Sequence, residues 1–334
     1  MAYRRTVREI VAAGISTVAE LQEALLNAIQ LEFATIPPYL CAQWSINNDP
    51  SNVNTTIQDI VVQEMLHFGF GCNMYTATGG SLHGKIAEPG FVPTYPGPLP
   101  AGVHPGLTVS LLPLGNTALQ TFMSIEYPDV TPVVQQPQNP PPPNPPAPPT
   151  IGQFYQTIAA GFQTVFPSGN LPNSPSQNQV VTKVGGDQLF AINTVADALN
   201  AIAEVTDQGE GTDTSPDEGT FDPNELAHYY TFAQIYYGKT VAKVGNVFEY
   251  AGNAITVPTV FNFAPNPNNP DQAAFISTFT QLMQQLEQCW TGGASIGSAI
   301  GTMFTLQGNG VQLIQNDSAT PQFVFQGATV RSHA

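Results

Sequence analysis

A carboxylate in the middle of an apolar helical stripe constrains this chain more than any other feature. Leu25, Ile29, Glu32 and Ile36 fall at i, i+4, i+7 and i+11, on one face of a helix. An ionised carboxylate on a buried face is tolerated only with a charge partner, a hydrogen-bond network or a metal. The chain has 8 Lys and Arg against 24 Asp and Glu, so cationic partners are scarce. The anomaly recurs in EMLHF, where Glu64 and His67 share the face of Ile57, Ile60, Val61 and Phe68. Glu-x-x-His turns both side chains to one side of a helix, and in four-helix dimetal sites each metal takes one such helix and shares carboxylates from its neighbours. One instance is equally a core histidine bonded to its own glutamate. A second, Glu225 and His228 in ELAHYY, again followed by aromatic residues, shifts the reading to metal ligation.

Helical phase sorts the remaining carboxylates. Glu126 follows Leu119 by seven and Phe122 by four, which puts it on their buried face. Glu210 lies about 20° from Leu199, whereas Glu204 lies about 180° from Val195, so Glu210 is the expected ligand and Glu204 is expected to face solvent. Asp222-Pro223-Asn224-Glu225 has the form of a capping box with proline at the first helical position. Glu225 is therefore either a ligand or a helix cap. The candidate metal ligands are Glu32, Glu64, His67, Glu126, Glu210, Glu225 and His228; no residue is singled out as catalytic.

Apolar periodicity predicts helices over residues 17–44, 55–78, 116–126, 151–166, 189–210, 223–244, 272–290 and 296–306, with Asp271 as an N-cap. The first is expected to end or kink at Pro37-Pro38. Residues 81–115, rich in Gly and Pro, form an irregular excursion over one end of the bundle. The tract at residues 135–150, QQPQNPPPPNPPAPPT, favours extended polyproline II and reads as an exposed insertion loop. The class is all-α with long irregular loops: one domain over residues 1–250, and C-terminal helices in 251–334 packing on it.

A net charge of −16 repels nucleic acid and anionic membranes. No apolar run is long enough to span a bilayer and no signal peptide is evident, so the expected location is the cytoplasm. Cys41, Cys72 and Cys289 read as buried thiols. His83 and His104 read as surface loop residues, His333 as tail, and Tyr229, Tyr230, Tyr236 and Tyr237 as packing. No phosphate loop, dinucleotide fingerprint or nucleophile elbow is present.

The phrases LEFATIPPYL, EMLHFGFGCNMYTATGG, YPGPLP, FMSIEYPD, IGQFYQTI and DQGEGT, in this order, resemble the ferritin-like family related to the iminophenylpyruvate dimer synthases of violacein-type pigment biosynthesis. The resemblance covers roughly residues 21–237 and implies a ferritin-like helical bundle with a dimetal centre, carried onto Glu32, Glu64, His67, Glu126, Glu210 and His228. The expected cofactor is two iron ions, with manganese or a mixed pair as alternatives, and the first functional expectation is an oxidoreductase using dioxygen or peroxide on a small aromatic or amino-acid-derived metabolite. A metal-binding or iron-handling protein without turnover is the second expectation. The proline-rich insertion has no match in the family pattern.

Overall fold

Thr6 with Glu9, and Thr17 with Glu20, make reciprocal capping boxes that start helices α1 (Val7–Ala13) and α2 (Val18–Trp44). The computed structural model describes residues 4–172, 178–211, 215–218 and 222–327. Helix α3 (Val53–Ala77) returns along α2, and the pairs Gln22/Thr78, Ile29/Gly71, Thr35/Glu64 and Gln43/Asn54 show the two running antiparallel. The approach is close: a Cβ added at Gly71 would lie 2.9 Å from Ile29 Cγ1. Both helices bury most of their length, which the all-round apolar or small character of FATIPPYLCA and FGFGCNM permits.

Contrary to expectation, Pro37 and Pro38 neither end nor break α2; the helix continues to Trp44. Pro38 lacks the N–H that would bond the Ala34 carbonyl. Tyr95 replaces it, its hydroxyl donating to Ala34 O at 2.8 Å. Burial holds the Tyr95 phenol protonated, well above its usual pKa, so it remains a donor. Tyr95→Phe strands a buried carbonyl, which costs about 1–3 kcal/mol. The expected result is a lower urea midpoint at unchanged slope; an unchanged midpoint would show that another donor takes over.

The shorter helices α4 (Asn116–Ile125), α5 (Ile151–Val165), α6 (Val195–Glu210) and α7 (His228–Tyr237) close the bundle over the inward faces of α2 and α3, with α4 packed on α7 and α5 on α6. Two expected starts are corrected. Residues 189–194 precede α6, which begins where Thr194 and Asp197 form a capping box. Residues 222–226 are a strand, so Glu225 does not lie in a first helical turn and α7 begins only at His228.

The strands are two to five residues long and act as clips: β1 (Ile46–Asn48), β2 (Val134–Gln135), β3 (Thr182–Val184), β4 (Asp187–Leu189), β5 (Asp217–Glu218), β6 (Asp222–Leu226), β7 (Ala242–Val244), β8 (Val247–Glu249) and β9 (Thr259–Val260). Strand β1 pairs antiparallel with β9, β3 with β4, and β5 with β6, while β2 joins the β7–β8 hairpin in parallel. The proline-rich tract after β2 is mostly exposed but tied down, with Pro141 O accepting from Tyr236 Oη at 2.9 Å and Pro148 O from Arg8 at 2.9 Å.

The excursion at residues 81–115 lies along the flank of α2, where Gln30 Nε2 donates to Phe91 O at 2.7 Å. It is also tied to helix α8 (Gln272–Cys289): the Glu287 carboxylate accepts from the N–H groups of Lys85, Ile86 and Ala87 at 3.0–3.1 Å. Burial would raise the Glu287 pKa, but these backbone donors hold it below its ordinary value. Asp271 occupies the N-cap position of α8 without a side-chain cap bond.

Helix α9 (Ile296–Val311) pairs with α8, and both pack on the outer side of α2 and α3, through Phe279 against Phe33, Phe275 against Trp44, and Gly310 beneath the Trp44 ring. Asn73 of α3 joins three segments there. Its Nδ2 donates to Val180 O (2.8 Å) and Phe190 O (2.9 Å), and its Oδ1 accepts from Val180 N (3.0 Å) and Trp290 Nε1 (2.7 Å). All three cysteines are buried free thiols, and no described helix is long and apolar enough to cross a membrane.

Candidate metal centre

The carboxylates that phase placed inward on α2 and α3 meet near the middle of the bundle. Glu32, Glu64 and His67 form one buried group and Glu64, Glu126 and His228 a second, each with its donor atoms within 4.8 Å of one another. Glu64 belongs to both. Its Oε1 lies 2.9 Å from His228 Nδ1 and 3.9 Å from His67 Nδ1. Glu32 Oε2 stands 3.5 Å from His67 Nδ1, and Glu126 Oε2 stands 3.7 Å from His228 Nδ1.

Hydroxyl groups hold the other carboxylate oxygens. Tyr155 donates to Glu32 Oε1 at 2.5 Å, Tyr39 donates to Glu126 Oε1, and the Thr35 hydroxyl lies 2.8 Å from Glu64 Oε2. Burial drives the Tyr39 and Tyr155 phenols far above their usual pKa, and the neighbouring carboxylates push the same way, so both are fixed donors. Each carboxylate is thereby left with one oxygen toward the histidines.

The histidines are oriented from behind. His67 Nε2 donates to Gln208 Oε1 at 2.8 Å and His228 Nε2 to Gln63 Oε1 at 3.0 Å, which leaves each Nδ1 facing the carboxylates. A ring nitrogen fixed by a second hydrogen bond is the usual support of a metal-ligating histidine. His228 Nδ1 is buried without a hydrogen-bond partner, although Glu64 Oε1 is 2.9 Å away. An orphaned ring nitrogen facing the carboxylates of Glu64 and Glu126 fits a cation among them.

The electrostatics agree. Burial raises the Glu64 pKa, with Glu126 adding to the effect. Burial would lower His228, but the Glu126 and Glu64 carboxylates push it up to about 10; His67 is likewise raised by Glu32 and Glu64 against the effect of burial. Without a metal, protons must carry the positive charge that the carboxylates demand. A cavity of about 30 Å³ adjoins the cluster, lined by Glu32, Glu64, His67, Glu126, Tyr155 and Gly209 among others.

Glu225 is an exposed residue of β6, outside both buried groups. Glu210 is the last residue of α6, and its side chain lies outside the described residues. Glu204, expected in solvent, is 6% exposed. Burial and then Asp187 raise its pKa to about 7, against the effect of His67. The phase was misread because the buried face of α6 spans about half the helix: Val195 and Glu204 lie at its opposite edges, with Ala198, Ala201, Ile202, Val205 and Gln208 between them.

His104 is another correction: it is buried, and Nε2 donates to Ile125 O at 3.1 Å next to Glu126. Its φ of 46° folds the ring inward from the loop. His83 is exposed, and His333 lies outside the described residues. The supporting residues Tyr39, Thr35, Gln63, Tyr155 and Gln208 were not found from sequence. The only available signal was position, since Gln63 adjoins Glu64, while Thr35 and Tyr39 stand three and seven residues after Glu32.

A helical bundle with carboxylates and histidines converging from α2, α3, α4 and α7 defines a ferritin-like protein with two buried groups able to hold metal. The chain belongs to the Ferritin-like family, whose match spans residues 25–237. It is also similar in fold to a solved ferritin-like protein from Caulobacter vibrioides, with a TM-score of 0.67 at 22% identity over 93% of this chain and 99% of that one. No curated protein matches it.

Proposed function

We propose that the cluster holds two metal ions, iron in preference to manganese, and that the protein is an oxidoreductase using dioxygen or peroxide. The observation that carries this reading is Glu64, which belongs to both buried groups and whose Oε1 faces both histidine Nδ1 atoms. Glu32, Glu64 and His67 would hold one ion, and Glu64, Glu126 and His228 the other. Oxygen and imidazole donors suit iron, manganese and zinc, and iron supplies the redox and dioxygen chemistry that side chains lack. The chain's own residues do the rest. Gln63 and Gln208 fix the imidazoles, Tyr39, Thr35 and Tyr155 fix the carboxylates, and Leu31, Ile125 and Val205 help wall the site from bulk water. The resemblance to iminophenylpyruvate dimer synthases supports a small aromatic or amino-acid-derived metabolite as the electron donor.

A second reading, iron handling without turnover, is favoured by one observation. The adjoining cavity of about 30 Å³ takes a molecule of water or dioxygen size and excludes an organic metabolite in this conformation. Tag-free protein is expected to contain about two iron atoms per chain. After anaerobic reduction it is expected to consume dioxygen repeatedly when an electron donor is present, as read at an oxygen electrode. One round of uptake that no donor renews selects the second reading, and protein that neither carries nor takes up metal overturns both.

A further inference from the structure

On the far side of the α2–α3 pair from the metal centre, the C-terminal hairpin α8–α9 leaves a cavity of about 340 Å³. It shares no lining residue with the cavity beside the carboxylates. Its walls are apolar: Phe33 and Ile36 from α2, Met65 and Phe68 from α3, and Leu282 and Leu286 from α8. Protein interiors hold few voids larger than a water molecule, and an unfilled space of this size forfeits the dispersion contacts of its whole lining. The volume lies within the range of about 300–1,000 Å³ typical of small-molecule sites.

A few polar groups interrupt this lining. Lys183, on β3, is its single charged side chain, and Gln43, Gln58 and Gln307 also reach the cavity. The exposed residues of the lining, Gln58, Lys183, Gly185, Ile300 and Phe304, mark where it opens. In a chain with 8 basic residues and a net charge of −16, a lone ammonium at the mouth of an apolar cavity is a selective feature, because the rest of the surface repels anions. The β3–β4 hairpin that carries it is seated on α3 where Gly69 leaves room for Leu189; an added Cβ would meet Leu189 Cδ2 at 2.8 Å.

We propose that this cavity binds a long-chain carboxylic acid, with the hydrocarbon chain between α2, α3, α8 and α9 and the carboxylate at Lys183. The site is independent of metal occupancy.

Both tryptophans of the chain, Trp44 and Trp290, line the cavity, so intrinsic fluorescence reports its occupancy directly. Full-length protein titrated with octanoate, decanoate and dodecanoate is expected to show a saturable emission change, with affinity rising about fourfold per methylene. Lys183→Glu is expected to weaken dodecanoate about tenfold or more and to leave dodecanol within about twofold. Leu286→Phe, which narrows the cavity, is expected to weaken both ligands with no loss of thermal stability. Absence of a saturable signal with dodecanoate and dodecanol overturns the proposal. Equal loss of both ligands in Lys183→Glu overturns the placement of the carboxylate. A dimer in sedimentation that Phe304→Glu dissociates, with no ligand response, gives this face to a second copy of the chain and likewise overturns it.

Discussion

Glu64→Gln is expected to empty both metal positions, whereas Glu32→Gln and Glu126→Gln are each expected to empty one. The asymmetry follows from geometry: Glu64 is the residue common to the two buried groups, and its Oε1 faces both Nδ1 atoms. The amide keeps the shape of the carboxylate and can still accept from Thr35, but it carries no charge to offset a dication. Metal analysis of protein reconstituted with iron should therefore read near zero for Glu64→Gln and about one per chain for the other two, from a starting value of about two. Circular dichroism should be unchanged, because the apolar faces of the helices fold the bundle without the metal. Gln208→Ala and Gln63→Ala, which free the back of each imidazole, should weaken retention by about 10- to 100-fold without emptying the site, read as the chelator concentration needed for release. Full occupancy in Glu64→Gln would show that the two groups do not share a ligand.

Asn73→Ala is expected to produce the largest loss of stability of any single surface-distant polar replacement considered. The side chain uses both amide hydrogens and two acceptor positions on three separate segments, and it is fully buried. Alanine would leave two carbonyls, an amide N–H and the Trp290 indole N–H without partners inside the protein. Even with partial relaxation the cost is about 3–5 kcal/mol, or a fall in Tm of about 5–15 °C. Asn73→Asp should be no better, since a carboxylate cannot donate to the Val180 and Phe190 carbonyls and repels both. A red shift in tryptophan emission should accompany the loss, as the Trp290 indole gains access to water. A Tm within a degree of the parent would mean that ordered water replaces all four bonds.

The inward carboxylates of α2 and α3 were legible in the sequence because Glu32, Glu64 and His67 interrupt long, strongly apolar stripes, where a charged residue stands out. Glu126 was legible from a shorter stripe by the same rule, and His228 from the repeat of Glu-x-x-His, although Glu225 lies on β6 and only His228 on α7. The phase of α6 was not, because its buried face is so broad that Glu204 and the reference residue Val195 lie at opposite edges of it, and Glu204 looked like an ordinary solvated residue. The start of α7 was misread because two local signals compete there: the capping pattern at Asp222 favours a helix, while pairing with the neighbouring strand β5, Asp217 opposite Leu226, makes residues 222–226 the strand β6. Continuity of α2 through Pro37 and Pro38 depends on Tyr95, some sixty residues away, which no local rule reveals. The inward turn of His104 likewise rests on a distant carbonyl, Ile125 O.

Helices α2 and α3 adjoin in sequence, and this gives the two halves of the cluster different histories. The group of Glu32, Glu64 and His67 lies entirely within one helical hairpin and closes only a short loop, so a nascent chain can assemble it as soon as residues 18–77 have been released. The group of Glu64, Glu126 and His228 requires the chain to return after the proline-rich tract and two further helices. Closure of that longer loop adds only slowly to the entropic cost, but it must wait for synthesis of α7. One donor set is thus available early and the other late, with Glu64 the residue that joins them.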